Sequence, residues 1–270
     1  MDNRPIGVFD SGLGGLTAVR QINRLLPGEN VVYFGDTGRV PYGTRGKNII
    51  IRYAQQDIDF LLGFGVKMVV AACGTVSTVF PEQAAKKLPV PYFGVVQPTA
   101  QAACAANRQG AIGVIGTSTA VRSGAYGRAI RAIKPDARVI GRDCPLFVPL
   151  VENGLIGRDC EITRLAAKMY LEQLKNSDID TLIMGCTHYP LIRDIIADIM
   201  GPDVTLIDPG EETIKSVRNY MAENDMLCGG EGKGKREYYA SDSIENFRDI
   251  ASKLLGESME NCSVVSVAEN

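Results

Sequence analysis

The amino-acid sequence predicts an α/β protein made of two similar open parallel-sheet lobes with a cleft between them. Three observations lead to that class. Short apolar runs alternate with amphipathic helical patterns along the chain, as in parallel sheets covered by helices. The runs are continuous rather than alternating, as expected of strands buried on both faces. One strand–turn pattern also occurs twice: Met68-Val69-Val70-Ala71-Ala72-Cys73-Gly74-Thr75 is echoed by Thr181-Leu182-Ile183-Met184-Gly185-Cys186-Thr187. The two cysteines are a little under half the chain apart. A closed barrel of eight strand–helix units is the competing topology, but the echo favours two lobes, each giving one cysteine to a central cleft.

In chain order, strands are expected at 6–9, 31–34, 68–71, 92–95, 112–115, 138–140, 181–184 and 204–207. The first helix is expected over 16–26, with Leu16, Val19, Ile22 and Leu26 on one stripe. Further helices are expected over 49–64, 162–174 and 189–200. The Pro98 region reads as the crossover into the second lobe and Asp208-Pro209 as the return. The first lobe is thus 1–97 plus 208–270, completed by a helix near 243–255, and the second is 98–207. The glycine-rich stretch Gly229-Gly230-Glu231-Gly232-Lys233-Gly234 reads as a mobile surface loop.

Composition narrows the partners. Of 270 residues 45% are hydrophobic and 22% charged, an ordinary globular balance. No uncharged apolar run reaches the ~18 residues of a membrane span, and the N-terminus lacks the pattern of a secretory leader. Lys and Arg number 29 against 31 Asp and Glu, and Trp is absent. A nucleic-acid partner usually calls for a basic excess and aromatic platforms, so a small molecule is the expected ligand. The 7 cysteines include no C-x-x-C pair, which fits a cytoplasmic protein with free thiols. His188, the single histidine, has no partners at metal-ligand spacing.

Ligands of open α/β sheets sit beyond the carboxyl ends of the strands, so the residues just after each run are the candidates. Asp10-Ser11-Gly12-Leu13-Gly14-Gly15 approaches a dinucleotide fingerprint, but Thr17 takes the third glycine position and Asp10 would face a pyrophosphate. Asp10 as a helix cap is the plain alternative. Asp36 precedes a turn-rich loop containing Pro41-Tyr42-Gly43, a candidate pocket wall. Thr117-Ser118-Thr119 offers hydroxyls and amides to an oxygen anion, or simply caps a helix.

Cys73 and Cys186 are placed where backbone amides and a helix dipole stabilise a thiolate. One such cysteine reads most simply as core. Two at equivalent places in two lobes suggest facing acid/base groups that invert a stereocentre: one thiolate takes the Cα proton of an amino acid while the opposing thiol returns one to the other face. Hydroxyl and backbone donors around the α-carboxylate would stabilise the carbanion-like state, and a carboxylate or imidazole would pass protons to each sulfur. Cys104, Cys144, Cys160, Cys228 and Cys262 lack this setting and read as packing or surface residues.

These motifs also resemble a known family. Phe9-Asp10-Ser11-Gly12-Leu13-Gly14-Gly15, Asp36 with Pro41-Tyr42-Gly43, Ala72-Cys73 with Thr75, the segment Cys144-Pro145-Leu146-Phe147-Val148-Pro149-Leu150-Val151-Glu152, and Gly185-Cys186-Thr187-His188-Tyr189-Pro190 resemble the glutamate racemases of the cofactor-independent aspartate/glutamate racemase superfamily, in order and across the chain. The resemblance implies two flavodoxin-like lobes with the active site between them. It implies interconversion of L- and D-glutamate with no pyridoxal phosphate or metal cofactor, supply of D-glutamate to peptidoglycan synthesis, and a homodimer. Cys73 and Cys186 would be the acid/base pair, Asp10 assisting the first and Glu152 and His188 the second. Asp10, Ser11 and Thr187 would lie near the amino group. Pro41, Tyr42 and Gly43 would border the side-chain carboxylate, with Gly74, Thr75, Thr117 and Thr119 completing the substrate shell.

Two positions depart from the family pattern. Gly74 stands where it has asparagine, and Ala120 ends a turn that usually closes on threonine. Glycine removes a polar donor and is expected to open space. Weak turnover of glutamate, another amino-acid substrate, and a catalytically weak binding or regulatory protein are the alternatives this leaves.

Overall fold

The structure is a computed structural model describing residues 1–230, 232–242, 251–252, 255 and 261–266. The first half of the chain runs β1 (Ile6–Asp10), α1 (Leu16–Leu25), β2 (Val31–Gly35), α2 (Lys47–Leu62), β3 (Met68–Ala71), α3 (Gly74–Val79), α4 (Glu82–Ala85), β4 (Tyr92–Gly94) and α5 (Val96–Ala106). The second runs β5 (Ala111–Gly116), α6 (Ser118–Ser123), α7 (Ala125–Ile133), β6 (Val139–Asp143), α8 (Phe147–Glu152), α9 (Glu161–Lys175), β7 (Ile179–Met184), α10 (Arg193–Met200) and β8 (Thr205–Ile207). The chain then returns through α11 (Pro209–Glu223), β9 (Arg236–Ala240) and β10 (Cys262–Val264).

Every strand pairing among the described residues is parallel. One sheet has the order β10-β9-β2-β1-β3-β4 and the other β6-β5-β7-β8. The order β2-β1-β3-β4 is therefore repeated as β6-β5-β7-β8, and the echoed sequences are the third strand of each repeat. This is the predicted pair of parallel-sheet lobes.

Both faces of the central strands are covered, which explains the unalternating runs. Ile6 and Val8 point into a core made with Leu16, Val19 and Ile22 of α1 and Ile214, Val217 and Met221 of α11. Phe9 points the opposite way, into a core with Ile50, Ala54, Ile58 and Leu61 of α2. The second sheet is covered likewise by α9 and α10 on one face and α5 and α7 on the other. The expectation of burial on both faces fails for β4 and β6, which are edge strands and only half-buried over most of their length.

Two proline signals are accounted for. Pro98 lies in the first turn of α5, where a missing N–H breaks no intrahelical bond. Asp208 caps α11, its Oδ1 accepting from the amides of Gly210 (2.9 Å) and Glu211 (3.3 Å), with Pro209 as the first helical residue. The 189–200 segment opens as a 3-10 turn over Tyr189–Ile192 before becoming α10. The described residues of 229–234 form a largely exposed loop. The helix expected near 243–255 falls mostly outside the described residues. No helix among the described residues is long and apolar enough to cross a membrane.

Candidate active site

In each sheet the chain steps from the first strand to opposite sides, so a crevice opens at the carboxyl ends of β1 and β3, and again at those of β5 and β7. The two crevices face each other. Ser11 after β1, Cys73 after β3, Thr117 after β5 and Cys186 after β7 line one cavity of about 340 Å³. Its remaining wall comes from the 40–44 loop, from Gly74 and Thr75, from Ser118, from the segment between Cys144 and Glu152, and from Thr187 and His188.

Cys73 is the cap residue of α3 and is buried. Its Sγ donates to Ser11 Oγ at 3.5 Å. Burial, reinforced by the Asp10 charge, pushes the thiol up to about 12, so it holds its proton at neutral pH. Asp10 ends β1 with no exposed surface. Its carboxyl accepts from the Gly12 amide (3.0 Å) and from Thr187 Oγ1 (3.3 Å) across the cleft. Burial raises its affinity for a proton, against the pull of His188 and the amides of Gly12 and Gly15. The cap of α1 is Gly15 rather than Asp10, although Asp10 satisfies amides of the turn that leads into that helix. Asp10 is not among the residues that line the cavity; its charge raises the Cys73 thiol.

On the opposite side three side chains stand in line. Cys186 Sγ is 3.7 Å from His188 Nδ1, and His188 Nε2 is 3.2 Å from Glu152 Oε1. Burial works against a charge on His188, but the bonds to Cys186 and Glu152 outweigh it and lift the imidazole to about 10. Both ring nitrogens thus face a polar partner, an arrangement that favours the protonated ring. The glycine-rich turn after β1 has a different use from cradling a phosphate. A Cβ on Gly14 would overlap Thr187 Oγ1 and lie 2.7 Å from His188 Nδ1, so glycine is needed for the two lobes to meet there.

Hydroxyl groups from both lobes meet on the cavity wall. Thr75 Oγ1 and Thr117 Oγ1 are 3.0 Å apart across the cleft. Thr117 also caps α6, its Oγ1 accepting from the Ala120 amide at 3.2 Å, so the helix-cap reading of that turn holds. Pro41, Tyr42 and Gly43 line the cavity. The Tyr42 hydroxyl does not reach it: that group is buried against Asp36 and Asp57, leaving the main chain to face a ligand. Thr119 is not on the wall either; its hydroxyl donates to the Gly43 carbonyl at 2.8 Å and ties the 40–44 loop to the second lobe.

Two expectations need correction. Gly74 does not open space. Its ideal Cβ position overlaps the main-chain carbonyl oxygen of Gly185, so a side chain there would meet the main chain of the other lobe. Cys144 is more than packing: it directly follows β6 and lines the cavity. The sequence reading stopped that strand at residue 140, three residues short of its end, because Gly141, Arg142 and Asp143 interrupt the apolar run. Asp57 was also missed. Its signal is a carboxylate inside the buried stripe of α2, among Ile50, Ala54, Ile58 and Leu61.

The sequence profile of the Asp/Glu/hydantoin racemases matches residues 6–217. A glutamate racemase of Geobacter metallireducens is 41% identical over 94% of this chain and 93% of its own length. One of Neisseria gonorrhoeae is 43% identical over 98% and 97%. Among solved structures, a glutamate racemase of Francisella tularensis in complex with D-glutamate superposes with a TM-score of 0.92 at 35% identity, covering 100% of both chains.

Proposed function

The chain belongs to the Asp/Glu/hydantoin racemase family, and we propose that it interconverts L- and D-glutamate by proton transfer between two thiols. The observation that supports this most is the pair Cys73 and Cys186, at topologically equivalent strand ends on one cavity of about 340 Å³. The thiolate of one removes the Cα proton, leaving the electron pair on Cα. The thiol of the other gives its proton to the opposite face, forming the new C–H bond and becoming the thiolate. The protein ends with the proton moved from one sulfur to the other, ready for the reverse reaction. His188 and Glu152 restore the proton on Cys186, and the Asp10 charge governs the proton on Cys73.

The α-carboxylate sits between Thr75 and Thr117, where fixed donors stabilise the charge that develops on deprotonation. Tyr42 and Gly43 hold the side-chain carboxylate through main-chain amides, and Ser11 and Thr187 border the amino group, with Asp10 behind them. D-Glutamate made this way supplies peptidoglycan synthesis, and the chain works in the cytoplasm as a homodimer of two lobes per protomer, 1–97 plus 208–270 and 98–207. A pocket enlarged for another substrate loses its support, because Gly185 fills the space beside Gly74.

The test is racemisation of each glutamate enantiomer by purified protein without added cofactor, followed by circular dichroism. Cys73→Ala and Cys186→Ala should each abolish it, and in deuterated water the label should enter the product enantiomer first. Full activity in either alanine variant would exclude the paired-thiol chemistry.

A further inference from the structure

Behind the 40–44 loop lies a buried polar cluster that the proton-transfer scheme does not use. Asp36 follows β2, Asp57 faces it from α2, and neither has exposed surface. Arg39 Nε bonds Asp36 Oδ2 at 2.5 Å, its Nη2 bonds Asp57 Oδ1 at 3.0 Å, and its Nη1 donates to Gln56 Oε1 at 2.5 Å. The Tyr53 ring lies 4.2 Å below the guanidinium. Ser241 Oγ donates to the other oxygen of Asp36 at 2.7 Å. The Tyr42 hydroxyl stands between the carboxyls, bonded to Asp36 Oδ2 and 3.1 Å from Asp57 Oδ2.

A proton count decides how these groups are arranged. The phenol has one proton and cannot donate to both carboxylates. If both were ionised, two buried negative charges would share one guanidinium and one buried acceptor would lack a donor, which is costly. The arrangement closes with a proton on Asp57 Oδ2. Asp57 then donates to Tyr42, Tyr42 donates to Asp36, and Arg39 balances the single remaining charge. Independently, burial and the neighbouring Asp36 charge push the Asp57 carboxyl well above the usual carboxylate range.

The far side of the same loop meets the cavity. Gly43 gives its carbonyl to Thr119 Oγ1 of the second lobe, and a Cβ on Gly43 would lie 2.8 Å from Thr117. The 40–44 segment is thus pinned to the first lobe by Tyr42 and to the second by Gly43.

We propose that Asp57, Asp36 and Arg39 are positioning residues that act through Tyr42, holding the Tyr42–Gly43 main chain at the spacing a substrate's side-chain carboxylate requires, with Asp57 serving as a neutral hydrogen-bond donor and not as a charge. The identity of that ligand rests on the racemase reading; the positioning unit does not.

The assignment makes the two aspartates unequal, although they are equally buried and both bond to Arg39 and Tyr42. Asn at 57 can still donate to Tyr42 and accept from Arg39, so Asp57→Asn should leave KM and kcat near the parent values. Asp36→Asn removes the charge that Arg39 balances. Bonds to charged groups contribute about 1.5–3 kcal/mol, so KM should rise about 10- to 150-fold with a much smaller change in kcat. Tyr42→Phe, which deletes one oxygen, should move KM in the same direction and covers the case in which Asp36→Asn does not fold. Amide hydrogen exchange over residues 37–46, measured without substrate, should speed up in Tyr42→Phe and stay unchanged in Asp57→Asn. A KM for Asp57→Asn raised as far as that for Asp36→Asn would overturn the neutral-donor assignment. A fall in kcat at constant KM in Tyr42→Phe, or unaltered exchange in that variant, would overturn the positioning role. Should the parent protein fail to turn over glutamate, the substrate reading falls while the exchange measurement still decides the positioning unit.

Discussion

Gly74→Ala is the most incisive perturbation of the cleft. The added Cβ would be placed on the Gly185 carbonyl oxygen, 3.2 Å from the Gly185 carbonyl carbon and 3.6 Å from Cys186 Cα. That main chain has little room to retreat. The Gly185 amide donates to the Ile115 carbonyl at 2.7 Å, and the Tyr126 ring packs behind it, 3.1 Å from where a Gly185 Cβ would be. Relief therefore requires breaking that bond or moving the lobes apart, which carries Cys186 away from Cys73. Overpacking a filled site costs about 1–3 kcal/mol, and if the cost falls on the closed state it appears as about a 5- to 150-fold loss in kcat/KM. Asparagine at 74 carries the same Cβ, and the bond its amide could donate is worth about 1.5–3 kcal/mol. The Gly185 contact therefore cancels most or all of what that bond would add. The assay is kcat/KM for both glutamate enantiomers in parent, Gly74→Ala and Gly74→Asn, with thermal melting alongside. Melting should change little, since opened lobes accommodate the methyl. An unchanged or higher kcat/KM in Gly74→Ala would refute the closure argument.

Three further outcomes are expected. His188 is held protonated to about 10 in the folded protein against about 6.5 unfolded, so its charge contributes stability fully below pH 6.5 and loses it as pH rises towards 10; the stability gap between parent and His188→Asn, from denaturant titrations at several pH values, should shrink across that window, and a gap that widens would reverse the assignment. Lys67 is fully buried, with its Nζ bonded to Glu29 Oε2 at 2.5 Å and to the Asp2 and Met226 carbonyls at 2.7 and 2.8 Å; Lys67→Met strands the Glu29 charge and should lower unfolding free energy by about 3–5 kcal/mol, read from urea midpoints and slopes. Cys144 lines the cavity, but burial keeps its thiol protonated; Cys144→Ala should retain most of the racemisation rate, in contrast to the other two cavity cysteines.

Legibility in the sequence followed the range of the interaction concerned. Strand–helix alternation and the doubled cysteine turn are local patterns, so the sheet class and the equivalence of Cys73 and Cys186 were readable directly. Helix α5 was passed over because its many alanines leave no strong apolar stripe. Edge strand β6 was cut short because Gly141, Arg142 and Asp143 need no two-sided burial. His188 and Glu152 were named through family likeness; nothing in a separation of 36 positions states that Nε2 and Oε1 lie 3.2 Å apart.

What the sequence determined by itself is the set of chemical groups at the strand ends, because a buried parallel strand followed by a turn leaves few positions free to face a ligand. What only the tertiary structure decided is how those groups are used. Gly74 looked like an empty space until Gly185, from the other lobe, was found in it. Tyr42 looked like a ligand contact until its hydroxyl was found between two buried carboxyls. Thr119 looked like a binding hydroxyl and proved to be a tie between lobes. Each outcome depends on contacts between residues far apart in the chain, where the cost of steric overlap and of unsatisfied buried polar groups selects one arrangement that no local pattern records.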